Sequence, residues 1–257
     1  MSRALPTAWA VAGTVGALAS VLLPAGLWRS VTGLAVGFGA AVVVVLGTRL
    51  HRPPSPRPWL LLAAALATFA AAEAVTALVD GAWAVDALRL AGYPLLVAAL
   101  VAVWLARRSD PGSAGWAGWV DAVVVAVTTA LGYWVFVIDL EGLDTTAQAV
   151  QLAFLVADVV VVALVTRLVV ADVSSTAFVL LAAGVAVLVG TDIAVLLQTD
   201  VTAGPAPELA HAGWLIASVL MATAALHPSM STVTEAAPAR EEPEDAATRL
   251  GLLGAVV

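Results

Sequence analysis

The feature that most constrains this chain is a succession of long apolar stretches, rich in Ala, Val and Leu and almost free of charge, repeated along most of its length. A hydrocarbon core about 30 Å thick is crossed by about 20 apolar helical residues. Punctuation by Pro, Gly, Arg and acidic residues cuts the sequence into segments of that size. Eight spans are expected: Ala8 to Trp28, Val31 to Leu50, Trp59 to Val79, Ala84 to Ala106, Ala117 to Ile138, Thr146 to Val170, Ser174 to Gln198 and Glu208 to Leu226. The expected fold is all-α, an integral membrane bundle of eight transmembrane helices. Composition agrees, since 62% of residues are hydrophobic and 11% charged, against about a quarter charged in a soluble domain. So little polar material cannot cover a water-facing surface.

The connections alternate in character, which orients the bundle, because Arg is retained on the cytoplasmic side whereas acids contribute little. Arg49, Arg52 and Arg57 mark one side, Arg107 and Arg108 follow two spans later, and Arg167 ends the sixth span. Between them lie Asp80 and Asp86, then Asp139, Glu141 and Asp144, then Asp200 and Glu208. Even-numbered spans therefore end inside, and both termini are expected in the cytoplasm. Arg3 agrees; Arg29 is the one contrary charge. Trp9, Trp28, Trp59, Trp83, Trp104, Trp116, Trp119, Trp134 and Trp214 all fall near span ends, where indole rings favour the headgroup interface. An aromatic belt is expected, with core packing as the alternative for any single ring. The chain is read as a multi-pass protein of the plasma (inner) membrane.

The first span also has features of a signal peptide, with Arg3 before an apolar run and Ala17-Leu18-Ala19 as a small-residue cleavage pattern. The run continues through Leu23, which suits a retained helix better. Residues 1–228 are read as the membrane domain. From Pro228 to Thr248 the composition turns to Ser, Thr, Ala, Pro and Glu, too polar to fold alone, so 229–248 is read as a disordered cytoplasmic linker. Residues 249–257 turn apolar again and are read as the start of a further membrane helix, which would make the chain a fragment, with a short interfacial end as the alternative.

Several function classes drop out. The net charge of -7 owes much to Glu235, Glu241, Glu242, Glu244 and Asp245 in the tail. No basic stripe or nucleic-acid module is readable, so no nucleic-acid partner is expected. There is no Cys and only three His, none paired at metal-ligand spacing, so neither cofactor nor metal is expected. No GxSxG elbow, Walker loop or GxGxxG fingerprint occurs, and the chain is not read as an enzyme.

A charge at the bilayer centre costs about 2.5–3.5 kcal/mol on translocon scales, so each intramembrane acid needs a partner, water or a proton. Glu73, Asp121, Asp158 and Asp192 are the four to explain. Asp158 lies nearest the midplane, Glu73 and Asp192 in the outer half, and Asp121 about one turn from the cytoplasmic face, where it snorkels. Arg89 follows Asp86 by three residues, the spacing at which helix side chains meet. With His211 at a similar depth, the candidate ligand-binding set is Glu73, Asp86, Arg89, Asp158, Asp192 and His211. The alternative is a set of interhelical hydrogen bonds and protonated acids that fix packing. Pro94, after Gly92-Tyr93, is a candidate kink beside Arg89, and Gly33-Leu34-Ala35-Val36-Gly37 is a GxxxG that permits close helix approach.

Trp214-Leu215-Ile216 leading to Ala224-Ala225-Leu226-His227-Pro228-Ser229-Met230 resembles the multi-helix N-terminal sensor regions of actinobacterial cyclic-di-GMP signalling proteins. Gly92-Tyr93-Pro94-Leu95, Trp119-Val120-Asp121-Ala122, Ala157-Asp158 and Thr191-Asp192-Ile193 agree, so the resemblance covers roughly Ala84 to Met230. One departure is that Phe154-Leu155 stand where the family commonly has Tyr-Pro, so a shared role for Asp158 is not carried over. The resemblance implies a signal-input domain whose cytoplasmic output is GGDEF or EAL chemistry, and neither motif occurs here. A small-solute or proton-coupled transporter is the alternative expectation, and a membrane-embedded lipid enzyme a third. The expected partners are the lipid bilayer, a small-molecule ligand and, as an open option, a second copy of the chain.

Overall fold

The computed structural model describes residues 4–23, 27–78, 82–107, 123–124, 126–131, 145–171, 175–196 and 206–235. Regular structure among them is helical throughout. Seven long helices are α1 (Ala4–Leu22), α2 (Leu27–His51), α3 (Arg57–Leu78), α4 (Ala82–Arg107), α5 (Thr145–Ala171), α6 (Thr176–Leu196) and α7 (Ala206–Leu226), followed by a short 3-10 helix, Pro228–Thr234. Each of the seven is long and apolar enough to cross a membrane. The expected fifth span, Ala117 to Ile138, lies largely outside the described residues, of which 123–124 and 126–131 are helical. Asp121 lies outside them as well.

Contacts between small and large residues fix the helix directions. Gly33 of α2 meets His211 of α7, and Gly47 meets Ala225, so these two helices run parallel. Gly184 meets Met221 and Gly213 meets Thr191, so α6 and α7 are antiparallel. Helix α4 opposes α6, because Tyr93 reaches Asp192 while the Arg107 guanidinium lies 5.6 Å from the Phe178 ring centre. Asp158 and Asp192 stand on either side of residues 172–174 and both reach Tyr93. Helices α5 and α6 therefore fold back on each other, and α5 runs parallel to α4.

The exterior is apolar, as lipid requires. Val11, Val15, Leu18, Phe38, Val42, Leu46, Leu105, Val156, Val160 and Val179 all point outward. Hydroxyls on the helices bond their own backbone: Thr68 donates to Ala64 O, Thr191 to Val187 O, Ser218 to Trp214 O and Thr223 to Val219 O. This keeps polar groups satisfied where no water competes. The contrary Arg29 is explained locally, because its Nε and Nη2 donate to Leu23 O at 3.1 and 2.6 Å. The guanidinium caps a carbonyl just past the end of α1, where a cation is favoured.

One end of the bundle is largely apolar inside and is covered by the segment after α7. Trp59, Leu62, Leu100, Phe178, Leu181, Met221 and Met230 share one core there. The Pro228–Thr234 helix begins with proline at a first-turn position, where a missing N–H costs nothing. It buries Met230, Val233 and Thr234. Ser229 Oγ accepts from Ala177 N at 3.0 Å, which satisfies one of the orphan donors that open α6. His51 Nε2 lies 2.8 Å from Leu226 O, at the end of α7. The sequence reading begins a disordered linker at residue 229; residues 229–234 instead belong to this docked helix, because Met230 and Val233 supply the apolar anchors that composition averaged over twenty residues conceals.

The tryptophans divide into two groups. Trp28 and Trp83 are exposed, each at the second residue of its helix. Trp59 is buried in the core, and Trp9 and Trp104, both partly buried, pack against that core, as the alternative reading of single rings expects for Trp59. Trp116, Trp119 and Trp134 lie outside the described residues.

Candidate functional site

At the other end of the bundle, charged and aromatic side chains from α3, α4, α6 and α7 meet around a cavity of about 50 Å³. That is room for a few waters or one small solute, since a single water needs roughly 10–15 Å³ by a comparable measure. Gly33 and Gly37 form the wall on α2. A Cβ on Gly33 would sit 2.9 Å from His211 Nε2, and one on Gly37 would sit 2.9 Å from Ala70 Cβ. The GxxxG spacing therefore serves approach within the chain, bringing α2 against α7 and α3.

Two linked polar groups line or back the cavity. In the first, Arg89 Nη2 donates to Glu73 Oε1 at 2.8 Å, and His211 Nδ1 lies 3.2 Å from Glu73 Oε2. The Arg89 guanidinium also lies over the Trp214 ring, 4.3 Å from its centre, a cation–π contact that is stronger away from water. In the second, the Tyr93 hydroxyl is within hydrogen-bond reach of both Asp158 Oδ1, at 2.9 Å, and Asp192 Oδ2. Trp214 Nε1 donates to Asp192 Oδ1 at 2.7 Å. Trp214 thus joins the two groups, with its ring against Arg89 and its N–H on Asp192.

The aromatic surroundings fix Tyr93. Phe69 and Phe154 meet its ring edge-on, with centroids 5.7 and 6.0 Å away and interplanar angles of 80° and 73°, the arrangement ring quadrupoles favour. Pro94, the next residue, points to the exposed face of α4. Asp158 is 0% exposed and lies one hydrogen bond behind the cavity wall. Asp192, Glu73 and Arg89 are in the wall itself.

Of the six residues singled out from sequence, Glu73, Arg89, Asp158, Asp192 and His211 belong to this connected system. Asp86 does not. Arg89 pairs with Glu73, and among the described residues Asp86 makes no ion pair and lines no part of the cavity. The i, i+3 spacing puts Asp86 and Arg89 within reach, but the long guanidinium finds a better site over Trp214 and against a carboxylate on the neighbouring helix. Sequence reasoning did not place Tyr93 and Trp214 in the site. In the sequence Tyr93 stands out only within Gly92-Tyr93-Pro94-Leu95, and Trp214 only as an interface anchor and within Trp214-Leu215-Ile216. The available signal was depth, since each lies on a span level with an intramembrane acid. Among the described residues no cluster of His, Asp or Glu suits a metal ion.

Compared with protein-family models, with curated proteins and with solved structures, the chain matches none.

Proposed function

We propose that the chain is a membrane-embedded sensor or signal-input domain, in which a small stimulus acting at the Glu73–Arg89–Trp214–Asp192 cavity biases helix packing and the bias leaves through α7. The observation that carries this reading is that α6 is tied to α7 at the cavity and to the segment continuing from α7 at the opposite end. Asp192 of α6 holds Trp214 of α7 at the cavity. At the opposite end, Ala177 of α6 holds Ser229, two residues beyond His227. A shift of α6 against α7 at the cavity is therefore felt where the chain leaves the bundle. Such a device needs a stimulus with different affinity for two helix arrangements.

The topology proposed with it is eight crossings with both termini inside. Helices α4 and α5 run parallel, so Arg107 and Thr145 stand at opposite ends of the bundle, which an additional crossing between them satisfies. Arg49, Arg52, Arg57, Arg107 and Arg167 gather toward the end where Pro228–Thr234 docks, as the positive-inside tendency favours for a cytoplasmic face. The output, such as cyclic-di-GMP turnover, would be carried by residues other than these.

Hydrogen exchange in lipid nanodiscs tests the coupling. Trp214→Phe removes the bond to Asp192 and keeps the ring, and it is expected to raise exchange within residues 228–235 at the far end. Unchanged exchange there would sink the sensor reading. The second reading, a small-solute or proton-coupled transporter, is favoured by one observation, the fully buried Asp158 linked through Tyr93 to the cavity. Proteoliposome flux abolished by Asp158→Asn would support it, and absence of flux would remove it.

A further inference from the structure

We propose that the ligand of this site is the proton: Asp192, Tyr93 and Asp158 form a relay that shares one titrating proton between the cavity and the interior of the bundle. It rests on the reading above only in taking the cavity as the place where the stimulus acts.

A tyrosine hydroxyl carries one hydrogen and can accept through its oxygen lone pairs, whereas an ionised carboxylate only accepts. Tyr93 lies within hydrogen-bond reach of an oxygen on each of two aspartates. One hydrogen cannot serve both. The second contact is a hydrogen bond only when that carboxyl is protonated and donates to the phenolic oxygen. Trp214 cannot supply the difference, because its N–H is directed to the other oxygen of Asp192. The cavity gives the relay an entrance, since Asp192 and Tyr93 are in its wall while Asp158 is fully buried behind them.

A second observation comes from the neighbouring group. His211 Nε2 is buried beside the cavity-wall residue Gly33 and has no hydrogen-bond partner among the described residues. Its Nδ1 lies 3.2 Å from Glu73 Oε2 on the other side of the ring. Among the described residues, the titratable and charged groups facing the relay are Arg89 from α4, Glu73 from α3 and His211 from α7. Helix α2 contributes Gly33 and Gly37, neither of which titrates.

The transfer balances. The O–H bond of the protonated Asp192 carboxyl breaks as one forms on Tyr93 Oη. The original Tyr93 O–H breaks as one forms on Asp158 Oδ1. Tyrosine ends neutral, and one proton has moved from the cavity wall to the fully buried acid.

Infrared spectroscopy of the full chain in nanodiscs tests this. At neutral pH the wild type is expected to show the carbonyl stretch of a protonated carboxylic acid, shifted in D2O. Asp158→Asn and Asp192→Asn should each abolish it, because the amide supplies the missing hydrogen and the remaining carboxylate ionises. Asp86→Asn, outside the network, should leave it intact. Tyr93→Phe, which removes the bridge, should move the band if it remains. Absence of a D2O-sensitive band in the wild type would overturn the proposal without requiring any variant to fold, as would a band that survives both aspartate substitutions. The band reports the proton whether or not the bundle signals. Failure of the Trp214→Phe coupling test alone would therefore remove the sensor reading and leave the relay.

Discussion

The two ends of this bundle are built on opposite principles. Where the Pro228–Thr234 helix docks, Trp59, Phe178, Leu181, Met221 and Met230 form a largely apolar core, with the Arg107 guanidinium over the Phe178 ring and Trp59 Nε1 buried among apolar groups. At the cavity end, three carboxylates, a guanidinium and an imidazole share the space between the same helices. In lipid, apolar contact with a neighbouring helix gains little over contact with acyl chains, so close packing and interhelical hydrogen bonds hold helices together. The end where Pro228–Thr234 docks uses mainly the first and the cavity end uses the second. Close packing has one good arrangement. A hydrogen-bonded network has several of similar energy, which is what a site that responds to a stimulus requires.

Substitutions that exchange these principles test the comparison. The largest effect is expected for Gly47→Val, since any Cβ there would collide with the Ala225 backbone carbonyl. Overpacking of this kind costs about 3 kcal/mol and should appear as a large fall in thermal stability in detergent, followed by circular dichroism. Next is Arg89→Ala, which leaves Glu73 without its guanidinium. Breaking a buried pair costs about 3–5 kcal/mol, but these side chains remain 26% and 20% exposed, so about 2 kcal/mol is expected. Restoration by Glu73→Gln in the same chain would attribute that loss to the stranded charge.

A smaller loss, about 1 kcal/mol, is expected for Ser229→Ala, which removes a side-chain cap from the start of α6. Its clearer signature is faster hydrogen exchange at Ala177 and in residues 228–235. The smallest effect is expected for Gly190→Ala. Nothing lies within 4 Å of the added methyl, and the helix interior favours alanine by about 0.5 kcal/mol. A destabilising Gly190→Ala would mean that α6 needs its freedom at the cavity end, which would strengthen the contrast with Gly47.

How much of this was legible in the sequence depends on which coordinate is asked for. Depth along a span was readable. Glu73, Arg89, Asp192 and His211 were placed at similar levels from span position alone, and the structure brings them together. The direction in which each helix faces was not readable. In a soluble helix the polar face points to water and reveals the buried one, whereas a membrane helix is apolar all round and carries no such stripe. Asp86 was grouped with Arg89 for that reason, although Arg89 turns to Glu73. Trp59 and Trp28, both near span ends, could not be told apart, yet the first is core and the second is exposed.

The sequence by itself determined that the chain consists of apolar helices of membrane-crossing length and that a few acids interrupt them. Those facts follow from local composition and from the cost of placing charge in hydrocarbon. Only the tertiary structure decided which acids meet, that Tyr93 stands between two of them, that Trp214 joins both polar groups, and that the segment after α7 docks against α6. Each of these depends on the rotation and register of one helix against another, which small residues such as Gly33 and Gly47 set through contacts between positions far apart in the chain.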